Sequence, residues 1–241
     1  MDAPSATGSS VTVRRDAAAV AWWVLVGAAS GAIAGALVGG VGGRLAMLLL
    51  RLTSPDDVIG MISDDGFEIG VFSFDTAQLV LAMAMLGAIN GVLYAALRGA
   101  IPRKLRLPLW SVFAAALGGA SIVHDDGVDF AFLEPAALAI ALFVLLPGAA
   151  AALVVLLVER WMRVEPWSDR RLSIGLCIGA VAGTFALGFA GLVAAAALVV
   201  RRARLDSLLA RVARLAVPGA LVVVTLVAGW ELVSESTRIV R

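Results

Sequence analysis

Charged residues in this chain are bunched, and between the bunches lie six apolar runs at 17–43, 76–97, 107–123, 135–158, 172–200 and 215–230. None of them alternates with period two, so a closed barrel of half-exposed strands is excluded and continuous helices are expected. A helix rising about 1.5 Å per residue needs about 20 apolar residues, with a range near 17 to 25, to cross a hydrocarbon core of roughly 30 Å. Five runs meet that directly. The sixth reaches it when its end is extended to about 233 and Arg211 or Arg214 snorkels at the start. Pro147 and Pro218 fall inside spans, where neighbouring helices satisfy the freed carbonyls. The predicted fold is an all-α polytopic transmembrane bundle of about six spans, at 17–43, 76–97, 107–123, 135–158, 172–200 and 215–233. Residues 1–16 are expected as a disordered cytoplasmic tail and 17–241 as one transmembrane domain.

The loops set the orientation, because Lys and Arg are retained on the cytoplasmic side. With the N-terminus inside, the inner segments carry Arg14, Arg15, Arg98, Arg103, Lys104, Arg106, Arg160, Arg163, Arg170, Arg171, Arg238 and Arg241, whereas the first two outer loops hold only Arg44 and Arg51. The exception is 201–214, which under six crossings puts Arg201, Arg202, Arg204, Arg211 and Arg214 outside. A re-entrant 172–200 would return these arginines to the cytoplasm and place the C-terminus outside. The tryptophans favour six full crossings, which set Trp22, Trp23, Trp110, Trp161, Trp167 and Trp230 near one interface. Leu205, Leu208, Leu209, Val212 and Leu215 share a helical face opposite arginines, so an interfacial amphipathic helix is expected at about 201–214. The apolar stretch after Arg14 and Arg15 is too long for a signal-peptide core and reads as an uncleaved first span.

Two stretches look like copies of one unit. Asp64-Asp65-Gly66 matches Asp125-Asp126-Gly127, acids follow at Glu68 and Asp129, and Phe72-Ser73-Phe74 matches Phe130-Ala131-Phe132. Gly87 and Gly148 then fall at the same offset, and Arg98 and Arg160 close the units. Duplicated helical hairpins in parallel orientation follow.

Glycine supplies the clearest periodic signal. Gly27, Gly31, Gly35, Gly39 and Gly43 recur every four residues in the first span, echoed by Gly175, Gly179 and Gly183 in the fifth and by Gly87 and Gly91 in the second. Such a glycine zipper lets backbones approach closely, substituting dispersion contact for the hydrophobic drive that lipid does not provide. Packing within the chain is favoured over a second copy. Asn90, beside Gly91, is the candidate for an interhelical hydrogen bond.

Composition narrows the chemistry. The chain is 61% hydrophobic and 15% charged with a net charge of +1, which excludes a soluble globular domain and gives no long-range attraction for nucleic acid. Cys177 is the single cysteine, so no intramolecular disulfide or cysteine metal cluster forms. Eighteen of the 19 basic residues are arginine, and with abundant alanine this points to GC-rich coding and a bacterial source. Asp64, Asp65, Glu68, Asp125, Asp126 and Asp129 form a speculative outer cation cluster, weighed against ordinary solvated turns and helix caps. No hydrolase, zinc-protease or phosphate-loop pattern is present, and no run carries a mid-depth acid or base of the kind an ion-coupled pump uses. No enzyme activity and no cofactor are therefore expected. The expectation is a multi-pass plasma-membrane protein whose partners are lipid and either a second copy or another membrane protein, acting as a structural or interaction component of an assembly; the alternative is a channel or facilitator for a small solute or cation.

Overall fold

The computed structural model describes residues 6–54, 74–124, 135–164 and 207–240. Among them every regular element is helical: α1 (Ala6–Ala34), a π-helical segment (Gly35–Gly42), α2 (Gly43–Thr53), α3 (Phe74–Leu97), α4 (Arg106–Ile122), α5 (Ala136–Trp161) and α6 (Ser207–Ile239). The fifth apolar run at 172–200 and both acidic loops lie outside the described residues.

Four helical stretches are long and apolar enough to cross a membrane: Ala18–Thr53, Thr76–Leu97, Ala136–Trp161 and Leu215–Ile239. The chain is thus an all-α bundle suited to a membrane location. Inside hydrocarbon each backbone N–H and C=O must be satisfied within the segment, which helices alone achieve for single spans. α4, with 17 residues, sits at the short limit for a crossing.

The first helical stretch runs further than the apolar pattern implies. Helix begins at Ala6, inside the stretch expected as a tail. It then continues past Gly43 through Arg44 and Arg51 as far as Thr53, so these two arginines lie on a helix and not in a loop. At 36 residues, Ala18–Thr53 is about 54 Å long and overshoots a hydrocarbon core of about 30 Å. Its middle is wound as a π-helix, Gly-Ala-Leu-Val-Gly-Gly-Val-Gly. Wider π turns shift the helical face, because each bond spans one residue more than in an α-helix. Four-residue spacing then no longer keeps one face in line.

α1 and α3 pack antiparallel through glycine. A Cβ on Gly31 would collide with the carbonyl of Gly87, one on Gly35 with the carbonyl of Met83, and one on Gly27 would lie 2.8 Å from Gly91 O. Past the π segment the register changes: a Cβ on Gly40 would meet Val80 Cα at 2.8 Å, while one on Gly43 would meet nothing within 4 Å. α4 and α5 form the other close pair, with the Pro147 ring seated over Gly118 and Gly148 facing Ala115.

Two buried clusters mark the ends of the bundle. The near end gathers Trp22, Val26, Tyr94, Ile101, Trp110, Val154, Val158 and Leu221; the far end gathers Leu50, Val123, Ala139 and Phe143, with Leu232 and Ile239 packed against them. These clusters fix the direction of α6. Leu221 lies at the near end, Leu232 covers Gly119 further along α4, and Ile239 reaches the far end. α6 therefore runs parallel to α1, opposite to the direction that six successive crossings require. It is also one helix from Ser207, so no separate interfacial helix precedes the span over 207–214. Trp230, placed by the sequence pattern beside the other tryptophans, is 76% exposed on the stretch of α6 between Leu221 and Leu232.

Candidate functional site

Asn90, Tyr94 and Arg98 follow one another at four-residue intervals and so line one face of α3 and the turn that directly follows it. Each meets a partner on another helix at the near end. Glu159, in the last turn of α5, is the focus. The Tyr94 hydroxyl donates to Glu159 Oε1 at 3.0 Å. Arg98 binds the same carboxylate with two parallel bonds, Nε to Oε1 at 3.0 Å and Nη2 to Oε2 at 3.1 Å. Arg106, the first residue of α4, donates through Nη1 to Oε1 at 3.0 Å and Oε2 at 3.1 Å, and through Nε to the carbonyl of Ile101 at 3.2 Å.

One carboxylate thereby ties together the end of α3, the turn into α4, the start of α4 and the end of α5. Paired planar guanidinium and carboxylate groups give directional, charge-assisted bonds. The side chains of Arg98, Arg106 and Glu159 are 28%, 17% and 19% exposed, between the surface regime, where ion pairs contribute little, and the buried regime, where breaking one is costly.

Beneath this ionic layer is an aromatic one. Trp110 Nε1 donates to Asn90 Oδ1 at 2.9 Å, and the indole stacks at a tilt between Tyr94 and Phe113, each with centroids 5.4 Å away. Tyr94, the single tyrosine of the chain, is wholly buried.

The arrangement holds helices together. Glu159 Oε1 accepts three hydrogen bonds and Oε2 two, so neither oxygen has a free lone pair directed at a substrate proton. Among the described residues no group of three His, Cys, Asp or Glu side chains is positioned to hold a metal ion. His124 is exposed at the far end of α4.

Of the residues singled out from sequence, Gly27, Gly31, Gly35, Gly39, Gly87 and Gly91 all lie between α1 and α3, whereas a Cβ at Gly43, though the residue is buried, would meet nothing within 4 Å. Asn90 bonds across helices to Trp110. Asp64, Asp65, Glu68, Asp125, Asp126 and Asp129, and Gly175, Gly179 and Gly183, lie outside the described residues. The sequence alone does not mark Glu159, Arg98, Arg106 and Tyr94 as a unit. The signal was present in the spacing Asn90, Tyr94, Arg98 on α3 and Arg106, Trp110 on α4.

No protein-family model matches the chain, and neither does any curated protein or solved structure.

Proposed function

We propose that this chain is a multi-pass plasma-membrane protein that serves as a structural or interaction component of a membrane assembly, without catalytic activity. The observation that carries this reading is how the polar groups within the described bundle are used. Asn90, Tyr94, Arg98, Arg106 and Glu159 all serve contacts between helices, and the glycines bring α1 and α3 into backbone contact. A conducting path past Asn90 would need that amide turned toward water, but its oxygen accepts from Trp110.

The near end is cytoplasmic on this reading. Arg98, Arg103, Lys104, Arg106, Arg160 and Arg163 belong to it, and Arg211 and Arg214 lie on α6 before Leu221. The far end carries Arg44, Arg51 and Arg238 on its helices. The direction of α6 supports the arrangement in which 172–200 returns to its starting side, since Trp161 at the end of α5 and Leu221 on α6 both lie in the near-end cluster. The exception raised by Arg201 to Arg214 then disappears and the C-terminus is outside. The matching positions of Gly87 and Gly148, each facing the helix that precedes its own, support the duplicated hairpins.

Mild-detergent purification with mass determination, alongside ion and solute flux in liposomes, tests the role. A fixed stoichiometric complex with sealed liposomes is expected. Flux that falls when Asp125 and Asp126 are changed to Ala would replace this reading by a channel.

A further inference from the structure

The Glu159 cluster leaves the near end strongly unbalanced in charge. Between residues 98 and 106 and between 159 and 163 there are six cations, Arg98, Arg103, Lys104, Arg106, Arg160 and Arg163, and one carboxylate. That carboxylate is wholly engaged by Arg98 and Arg106. Arg103, Lys104, Arg160 and Arg163 are exposed and have no ion-pair partner among the described residues. The clamp joins both ends of the 98–106 turn to the last turn of α5, so the two segments that carry these four cations lie at one end of the bundle.

Apolar groups border these cations. Leu105 and Leu107 are 49% and 42% exposed immediately after Arg103 and Lys104, and Trp161 is half-buried between Arg160 and Arg163. Cations level with an interfacial indole and exposed leucines match a ligand that is anionic at the head and hydrocarbon below.

We propose that the near end of the bundle binds an anionic phospholipid, its headgroup held by Arg103, Lys104, Arg160 and Arg163 and its acyl chains against Leu105 and Leu107. This rests on the membrane location and not on the assembly role. A soluble polyanion would satisfy the cations without using the exposed leucines beside them, whereas an anionic lipid engages both. A cation near an anionic membrane surface favours the anionic species by roughly fivefold. Four of them acting on one headgroup are expected to enrich it by at least about tenfold after losses to geometry and screening.

The test is native mass spectrometry of the full chain released from nanodiscs of phosphatidylcholine with a minor share of phosphatidylglycerol. The wild type should retain phosphatidylglycerol about tenfold above its share. The variant R103Q/K104Q/R160Q/R163Q should fall to the bulk ratio with an unchanged melting temperature, and the far-end Arg238→Gln should behave as wild type. Should the fourfold variant misfold, raising the salt on wild-type nanodiscs before release serves instead, and it should abolish the enrichment. Enrichment that is absent in wild type, or survives both treatments, overturns the proposal. Failure to enter nanodiscs at all would instead overturn the membrane reading beneath it.

Discussion

Alanine at two glycines of the same periodic series should have opposite effects. Replacing Gly by Ala within a helix is worth about 1 kcal/mol in its favour through backbone entropy when space is open. At Gly43 a Cβ meets nothing within 4 Å, so Gly43→Ala should be neutral or stabilising by up to about 1 kcal/mol. At Gly31 a Cβ would collide with the Gly87 carbonyl and would lie 2.6 Å from Gly87 C and 2.9 Å from Ala88 Cα, where ordinary contact begins at 3.4 Å. All three obstacles are backbone atoms, which no rotamer change can move. The helices must part instead, loosening the neighbouring contacts at Gly27 and Gly35.

Overpacking typically costs about 1–3 kcal/mol, and a rigid obstacle puts Gly31→Ala at the upper end. Offset by the helical gain, a net loss of about 2 kcal/mol remains, equivalent to about 4–8 °C in Tm for a chain of this size. Thermal unfolding in mild detergent, followed by tryptophan fluorescence, reads both variants. Equal melting temperatures, or Gly43→Ala as the weaker of the two, would refute the packing argument. A Gly31→Ala effect that varied with protein concentration would show that the glycines serve a second copy instead.

Glu159→Gln should destabilise by about 1–3 kcal/mol, between the surface and buried limits for ion pairs, and more than Arg98→Gln, which leaves Glu159 paired with Arg106; melting temperatures compare them. Trp110→Phe should cost about 1 kcal/mol by orphaning Asn90 Oδ1, and adding Asn90→Leu should recover part of that loss in a double-mutant cycle. In a Cys177→Ala background, an impermeant maleimide applied to whole cells should label Ser236→Cys and spare Arg204→Cys; the reverse pattern would restore six successive crossings.

The helical class and most span positions were legible because lipid imposes a single rule, internal satisfaction of every backbone group, and the apolar runs state it directly. Four-residue glycine spacing was legible for the same reason, since no side chain competes there. The π segment was not, because the glycines that permit the wider turns also read as an unbroken α-helical stripe. Glu159 is not legible because a charge at the end of an apolar run looks like punctuation. Its role depends on Arg98 and Arg106, which converge on it only after α3, α4 and α5 have packed. The direction of α6 is not legible because arginine counts and tryptophan positions disagree, and it shows only in the seating of Leu221, Leu232 and Ile239.

The glycine spine and the Glu159 cluster answer different problems. A stripe with a four-residue repeat is degenerate in register: sliding α1 by one turn would pair Gly31 with Gly91 and Gly35 with Gly87, giving a backbone contact much like the observed one. Dispersion between glycines sets how closely α1 and α3 approach but discriminates poorly among such slips. Directional bonds do discriminate. Tyr94 and Arg98 hold α3 against α5 through Glu159, Asn90 holds it against α4 through Trp110, and a shift of one turn, about 5.4 Å, would break every one of them. α1 is keyed to that fixed frame at two further points, Trp22 and Val26 in the near-end cluster and Gly40 against Val80 beyond the π segment. The change of helical pitch at Gly35–Gly42 matters here because it ends the repeat, so that a slipped α1 would carry a misaligned face onto Val80. Close approach therefore comes from residues without side chains, and uniqueness from the few polar and irregular positions set among them.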